Sequence, residues 1–173
     1  MDILETREQW LADFKSGWLA AYQDSGQPDW STYRRPTNHQ APPGPAVDLS
    51  QSRLLFVTSS GAYLRDQQPP FDVDDLLGDY TLRRIPSDVS FDALAYAHDK
   101  YDHQYVEADP QVLLPFGHLH QMVTAGTIGS LTSQFVSFMG YQPDVTRVID
   151  DLIPQIVALA REEEAHALLL VPG

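Results

Sequence analysis

An α/β domain built on a three-layer parallel sheet, with an N-terminal helical extension, is the fold that this sequence predicts. Three observations carry the prediction. Short apolar runs at 53–57, 134–139 and 167–171 lack polar alternation, as strands covered by helices on both faces must. A long amphipathic pattern separates the last two runs. The order strand, loop, helix, strand, long helix, strand is the alternation of βαβ units.

Taken in order, residues 5–22 form the clearest helix. Trp10, Leu11, Phe14, Trp18, Ala21 and Tyr22 recur at three- and four-residue spacing with charges between them. The face serves either docking on its own domain or a partner contact. The stretch from Gln27 to Pro45 is rich in Pro, Ser, Thr and Asn and reads as an extended connector, with Trp30 and Tyr33 as anchors. Arg53 to Val57 is the best strand, followed by a Ser-Gly turn and a polar, proline-bearing loop from Asp66 to Asp75. Tyr80 to Ile85 is a short candidate strand. Ser90 is placed to cap a helix over Phe91 to His98, with Asp92 in its first turn. Pro115 to Ala125 is a further helix stopped by Gly126, and Gln134 to Met139 a second strand ending at Gly140. The last helix spans Pro143 to Glu164. Pro154 lies inside it and is expected to kink or divide it, because proline removes one backbone donor. Ala167 to Val171 is the closing strand. Residues 1–50 are thus the helix and connector, and 51–173 the α/β domain.

Composition bounds the function. The 173 residues suffice for a real core, and the 43% apolar content is that of a globular chain. A formal charge of −13 argues against nucleic acid and anionic membrane surfaces as partners. Lys15 and Lys100 are the only lysines, so arginine supplies most of the positive charge, which favours fork-like contacts to carboxylates. The sequence contains no cysteine, and so no thiolate nucleophile or thiolate metal site of its own. Residues 1–5 lack a signal-peptide pattern, and no apolar run reaches the roughly 20 residues of a membrane span. Cytoplasm is the expected compartment.

Three segments could carry chemistry. Thr58-Ser59-Ser60-Gly61 follows the first strand, where amides and hydroxyls can meet an anion. A serine-rich turn satisfying its own backbone fits equally well, and the spacing is neither a Walker loop nor a dinucleotide fingerprint. His98, Tyr101, Asp102 and His103 form a tight polar cluster, in which Asp102 could orient His98 as a general base. The competing role is a surface cluster with a local hydrogen bond. His118 and His120 sit two apart on a helix, a poor chelate, so no metal is expected. Arg83 and Arg84 face opposite ways on a strand: one could pair with Asp79 or Asp88 while the other clamps a carboxylate.

Read together, TSSGAYLRDQQPPFD (58–72), GDYTLRRIP (78–86), HDKYD (98–102), ADPQVLLP (108–115), GTIGSL (126–131) and SFMG (137–140), then a helix and LLLVP, resemble one family. It is the selenoprotein B family of glycine, sarcosine and betaine reductases, which includes D-proline reductase subunits. Order and spacing carry the resemblance, over about residues 50 to 173. It implies reductive cleavage of a small amino acid or betaine-type substrate, with a dithiol/disulfide couple as redox partner and no further cofactor. It implies supporting roles for His98 and Asp102 in proton handling, and a substrate shell of Ser59, Ser60, Gly61, Arg84 and Tyr101. The family's cysteine or selenocysteine lies just beyond the closing strand. The expectation is therefore a chain truncated at a selenocysteine codon and inactive alone, with a naturally short relative as the alternative. Partners expected are the small substrate and reductase-complex subunits or a second copy. A non-catalytic binding or assembly subunit that keeps the fold is the rival function. Ser59, Ser60, Arg84, His98 and Asp102 are expected to converge at the carboxyl end of the sheet, around Gly173.

Overall fold

The computed structural model describes residues 4–39 and 44–173, so part of the predicted connector, 40–43, lies outside the described residues. The chain divides into two compact units: Met1–Ala46 with Asp144–Thr146, and Val47–Pro143 with Arg147–Gly173.

In the first unit, α1 (Arg7–Phe14) runs through a π-helical turn, Lys15–Leu19, into α2 (Ala20–Ser25). The aromatic spacing of the sequence becomes a stack: Trp10 on Phe14 at 5.4 Å and Phe14 on Trp18 at 5.8 Å, with Tyr33 edge-on to Trp18 at 4.6 Å. Tyr33 and Trp30 are the anchors by which the extended segment returns to its own helix. The indole N–H groups of Trp18 and Trp10 donate to Asp29 O and Arg34 O, so these buried faces leave no indole donor unmatched.

The second unit is organised on β1 (Arg53–Thr58). Further strands are β2 (Ala62–Leu64), β3 (Arg83–Pro86), β4 (Leu94–Tyr96), β5 (Ser130–Leu131), β6 (Gln134–Ser137) and β7 (Ala167–Val171). Its helices are α3 (Gln104–Ala108), α4 (Phe116–Thr124) and α6 (Ile153–Glu162), while the short α5 (Val145–Arg147) carries Val145 and Thr146 of the first unit. β7 lies parallel along one side of β1 in the register Leu54↔Ala167 to Thr58↔Val171. β5 and β6 lie parallel along its other side, where Thr132 N–H still donates to Leu54 O between them. β3 closes that flank antiparallel to β6, with Arg84 opposite Val136. The sheet is therefore mixed, mostly parallel, with one antiparallel edge.

Strand alternation sorts the core into two layers. Leu54, Phe56 and Phe135 face α4, where Phe116 and Leu119 are buried against them. Leu55, Val57 and Val136 face α6, meeting Leu159 and Ile156. The three-layer expectation holds, with helices on both faces. Over β7 the second face is open: Leu168 is 43% and Leu170 64% exposed, against the expectation of a strand apolar and covered on both sides. Leu170→Thr is expected to change stability by no more than about 0.5 kcal/mol, as for other exposed positions; a chemical denaturation curve checks it.

Two expectations are corrected. Phe91 to His98 is no helix: Ser90 provides no side-chain cap, a single 3₁₀ turn covers Phe91–Ala93, and β4 follows, paired antiparallel with β2. The partner strand, Ala62–Leu64, lies between the predicted turn and loop, where no element was expected, and pairing overrides local helix signals. Tyr80 to Ile85 shifts to Arg83–Pro86. The division at Pro154 is observed: a π-helical turn, Val148–Leu152, precedes α6, whose first turn carries the proline.

Candidate active site at the carboxyl end of the sheet

The three parallel strands β1, β6 and β7 finish together, and their exits are stitched by backbone bonds. Ser59 N–H donates to Val171 O (3.2 Å), Gly61 N–H to Phe138 O (2.9 Å) and Ala97 N–H to Gly61 O (2.9 Å). Gly61 holds φ at +70°, and a methyl there would lie 2.4 Å from Ala97 O; only glycine permits this approach. Ser60 N–H is taken by Thr58 Oγ1 at 3.2 Å. The amides of Ser59, Ser60 and Gly61 all have protein acceptors, so they do not form the anion cradle that the Thr-Ser-Ser-Gly turn suggested.

Side chains complete the junction. Ser59 Oγ accepts from Gly173 N–H at 2.9 Å, tying the exit of β7 to that of β1. Tyr101 O–H donates to Ser60 O at 2.9 Å, and its ring lies 4.9 Å from that of His98. His98 is 5% exposed. Its Nδ1 accepts from Lys100 N–H at 3.1 Å, which places the ring proton of the neutral form on Nε2. Gly140 packs under that nitrogen: a methyl there would lie 2.9 Å from His98 Nε2 and 3.2 Å from Ser59 Oγ. Ser60 Oγ and Ser137 Oγ are buried without a hydrogen-bond partner among the described residues. Buried orphan hydroxyls are uncommon and cluster at functional sites or bound water.

His98 and Tyr96 are two apart on an extended chain and so share a side. Both line a cleft of about 720 Å³ whose opposite wall is the Pro69–Asp74 segment and Asp79. Asp79 is held below the usual carboxylate range: burial opposes this, but bonds from Thr81 and Asp72 N–H, with the charge of Arg83, outweigh it. Arg83 braces this wall, donating to Pro69 O and Pro70 O and lying 4.2 Å over the Phe71 ring. Burial lowers the His98 pKa, the nearby Asp99 only partly opposing it, and raises the Tyr101 phenol; it pushes Tyr96 up to about 12. At neutral pH the site presents a neutral imidazole and intact phenols.

The structure gathers Ser59, Ser60, Gly61, His98 and Tyr101 beside Gly173, but not the other two expected residues. Arg84 forms an exposed ion pair with Glu162 at 2.9 Å, because its position on β3 faces α6; Arg83 takes the cleft side. Asp102 accepts from Gln104, and His98 Nδ1 is already occupied, so Asp102 does not orient the imidazole. Asp72, Tyr96 and Gly140 were not among the expected site residues; His103 enters the sequence reading only within the polar cluster and Asp79 only as an arginine partner. The period-two spacing of Tyr96 and His98 was the available signal, hidden by the helix assignment. No group of three His, Cys, Asp or Glu among the described residues could hold a metal ion.

The acid dependence follows from the lowered His98 pKa. Between the ordinary value of 6.5 and the lower folded value the unfolded chain binds more protons, so stability falls as pH drops through that window. The contribution of Asp79 disappears only below 3.8. His98→Gln is expected to flatten the loss that sets in as pH falls below about 6.5, while leaving the loss at more acid pH; thermal melts at stepped pH measure both.

A parallel α/β unit with a cleft at the strands' carboxyl ends is the usual ground plan of a small-molecule site. The model of the glycine/sarcosine/betaine reductase selenoprotein B family matches residues 25–169, and this chain belongs to that family. It is 26% identical to D-proline reductase subunit gamma of Acetoanaerobium sticklandii over 73% of this chain and 50% of that protein. It is 29% identical to sarcosine reductase complex component B subunit beta of Peptoclostridium acidaminophilum, over 67% of this chain and 27% of the relative. A glycine reductase complex component B subunit gamma of Symbiobacterium thermophilum is 28% identical over 66% and 27% respectively. The chain thus spans half the length or less of these relatives. No solved structure matches it significantly. Among the described residues no helix is long and apolar enough to cross a membrane.

Proposed function

We propose that these residues form the substrate-binding shell of a selenoprotein B-type reductase component, acting in reductive cleavage of a small amino acid or betaine-type substrate. The supporting observation is the junction of Ser59, His98, Tyr101 and Gly140 beside Gly173, with His98 also lining the cleft, in a chain of this family. In such a cleavage a thiolate or selenolate bonds to the substrate carbon as the carbon–nitrogen bond breaks, releasing the amine or, in a ring, opening it. A dithiol then breaks the new carbon–sulfur or carbon–selenium bond, the carbon takes a proton, and the dithiol is oxidised to a disulfide. None of the 173 residues is a cysteine, so the nucleophile is supplied from outside them. His98 serves as a neutral Nε2–H donor rather than as the Asp102-assisted base. Reductase-complex subunits are the natural partners.

The absence of cysteine also favours a second reading, a binding or assembly subunit without redox chemistry. Titration of the chain with glycine, sarcosine, D-proline and glycine betaine, followed by NMR of the histidine rings, tests the first. Saturable perturbation of His98 by at least one is expected. No perturbation by any would leave the assembly reading.

A further inference from the structure

Four large apolar side chains of the second unit remain exposed on one side of the sheet: Ile153 and Val157 of α6, and Leu168 and Leu170 of β7. The position of α6 explains why. Its Leu159 and Ile156 meet Leu55 and Val57 of β1 and Val136 of β6, so the helix covers those two strands and stops short of β7. Glu162 pairs with Arg84 on β3, at the opposite end of the sheet from β7, which fixes the side of α6 that looks towards β3. At 3.6 residues per turn Ile153 lies about 180° around the helix from Glu162, and Val157 within about 40° of Ile153. Both therefore look towards β7. Leu168 and Leu170 share a face with Leu55 and Val57, their register partners on β1, and so rise on the same side as α6. Single exposed apolar residues are ordinary, whereas a strip of them between a strand and a helix marks an interaction surface.

Resting on the proposed assembly with reductase-complex subunits, we propose that an amphipathic helix of a companion subunit, basic along its flanks, lies over β7 beside α6. The leucines stand out of the plane of the sheet. A strand added to the outer edge of β7, which has no strand partner among the described residues, would leave them in water; a helix laid across them buries them. A helix about 10 Å wide covers two strands about 4.8 Å apart, so a second one over β7 takes the usual 8–10 Å spacing from α6. Charge decides between a second copy and a different chain. At a formal −13 two copies repel each other, while a helix with Lys or Arg beside its apolar stripe is attracted.

The test places the photocrosslinker p-benzoylphenylalanine at Leu170, or at the exposed Met122 of α4 as a control, in tagged chain recovered from its own host under anaerobic conditions. Mass spectrometry identifies the joined peptides. Leu170 is expected to join a helical stretch of a reductase-complex subunit that carries Lys or Arg beside its apolar residues, and Met122 is not. The double variant Leu168→Thr/Leu170→Thr should melt within about 2 °C of the parent, since both sites are exposed, yet recover at least about tenfold less of that subunit. Joining of Leu170 to a second copy or to nothing, the same peptide joined from both positions, or undiminished recovery with the double variant would overturn this inference and leave the functional reading intact. Recovery of no reductase-complex subunit at all would end that reading and this inference with it.

Discussion

Phe135→Ala is expected to destabilise the second unit by about 3–5 kcal/mol, the usual cost of emptying a fully buried phenylalanine site. Its ring is 0% exposed and meets Phe116 at 4.6 Å and Phe56 at 5.7 Å, so β6, α4 and β1 all lose contacts at once. Relaxation is limited because these rings also pack on each other: Phe56 lies 5.3 Å from Phe116. For a protein of this size the loss corresponds to a fall in melting temperature of roughly 10 °C. Phe135→Leu keeps most of the volume and should cost under about half as much. Calorimetry on both variants checks the pair. A similar small loss for both would mean that the aromatic layer is not the main core.

His98→Ala is expected to lower turnover of the assembled reductase by about a hundredfold, near the lower end of what a positioned acid–base group contributes. The geometry behind this is the fixed tautomer and the close seat of Gly140. Gly140→Val should imitate the loss with the histidine intact, since any side chain there reaches Nε2 at under 3 Å. Arg84→Gln provides the contrast. Its exposed partner Glu162 makes it a surface ion pair, worth at most about 1 kcal/mol of stability and distant in role from the cleft. Steady-state kinetics with the three variants, at equal folded concentration, separate these outcomes.

The fold was legible where burial writes itself into composition. β1 and β6 are apolar runs because both faces are covered, and the stripe of α6 follows from Ile156 and Leu159 meeting the sheet; β7 is apolar although one of its faces is open. The aromatic spacing of α1 was equally direct. What escaped depended on partners distant in sequence. β2 and β4 are three residues each, too short for periodicity, and exist because they pair with each other. Arg83 and Arg84 were correctly placed on opposite faces, but the sequence cannot say which face looks onto α6. That is fixed by the antiparallel register of β3 with β6. Ser59, Ser60, Gly61, His98 and Tyr101 lie together because strand ends gather at one edge. Asp102 was misread because sequence proximity suggested a bond that the Lys100 amide makes instead. Gly140 gave no chemical signal at all; its part is the room it leaves.

The most direct measurement is dithiol-dependent carbon–nitrogen cleavage by the chain assembled with its native subunits. Tagged protein is recovered from its own host under anaerobic conditions and supplied with glycine, sarcosine or glycine betaine, from which an amine is released, or with D-proline, whose ring opens to a primary amine. The account predicts cleavage matched by dithiol oxidation in the assembled material, a strong reduction with His98→Ala, and none with the isolated cysteine-free chain. Cleavage by the isolated chain above the no-enzyme level, or assembled material that cleaves none of the four, would contradict it.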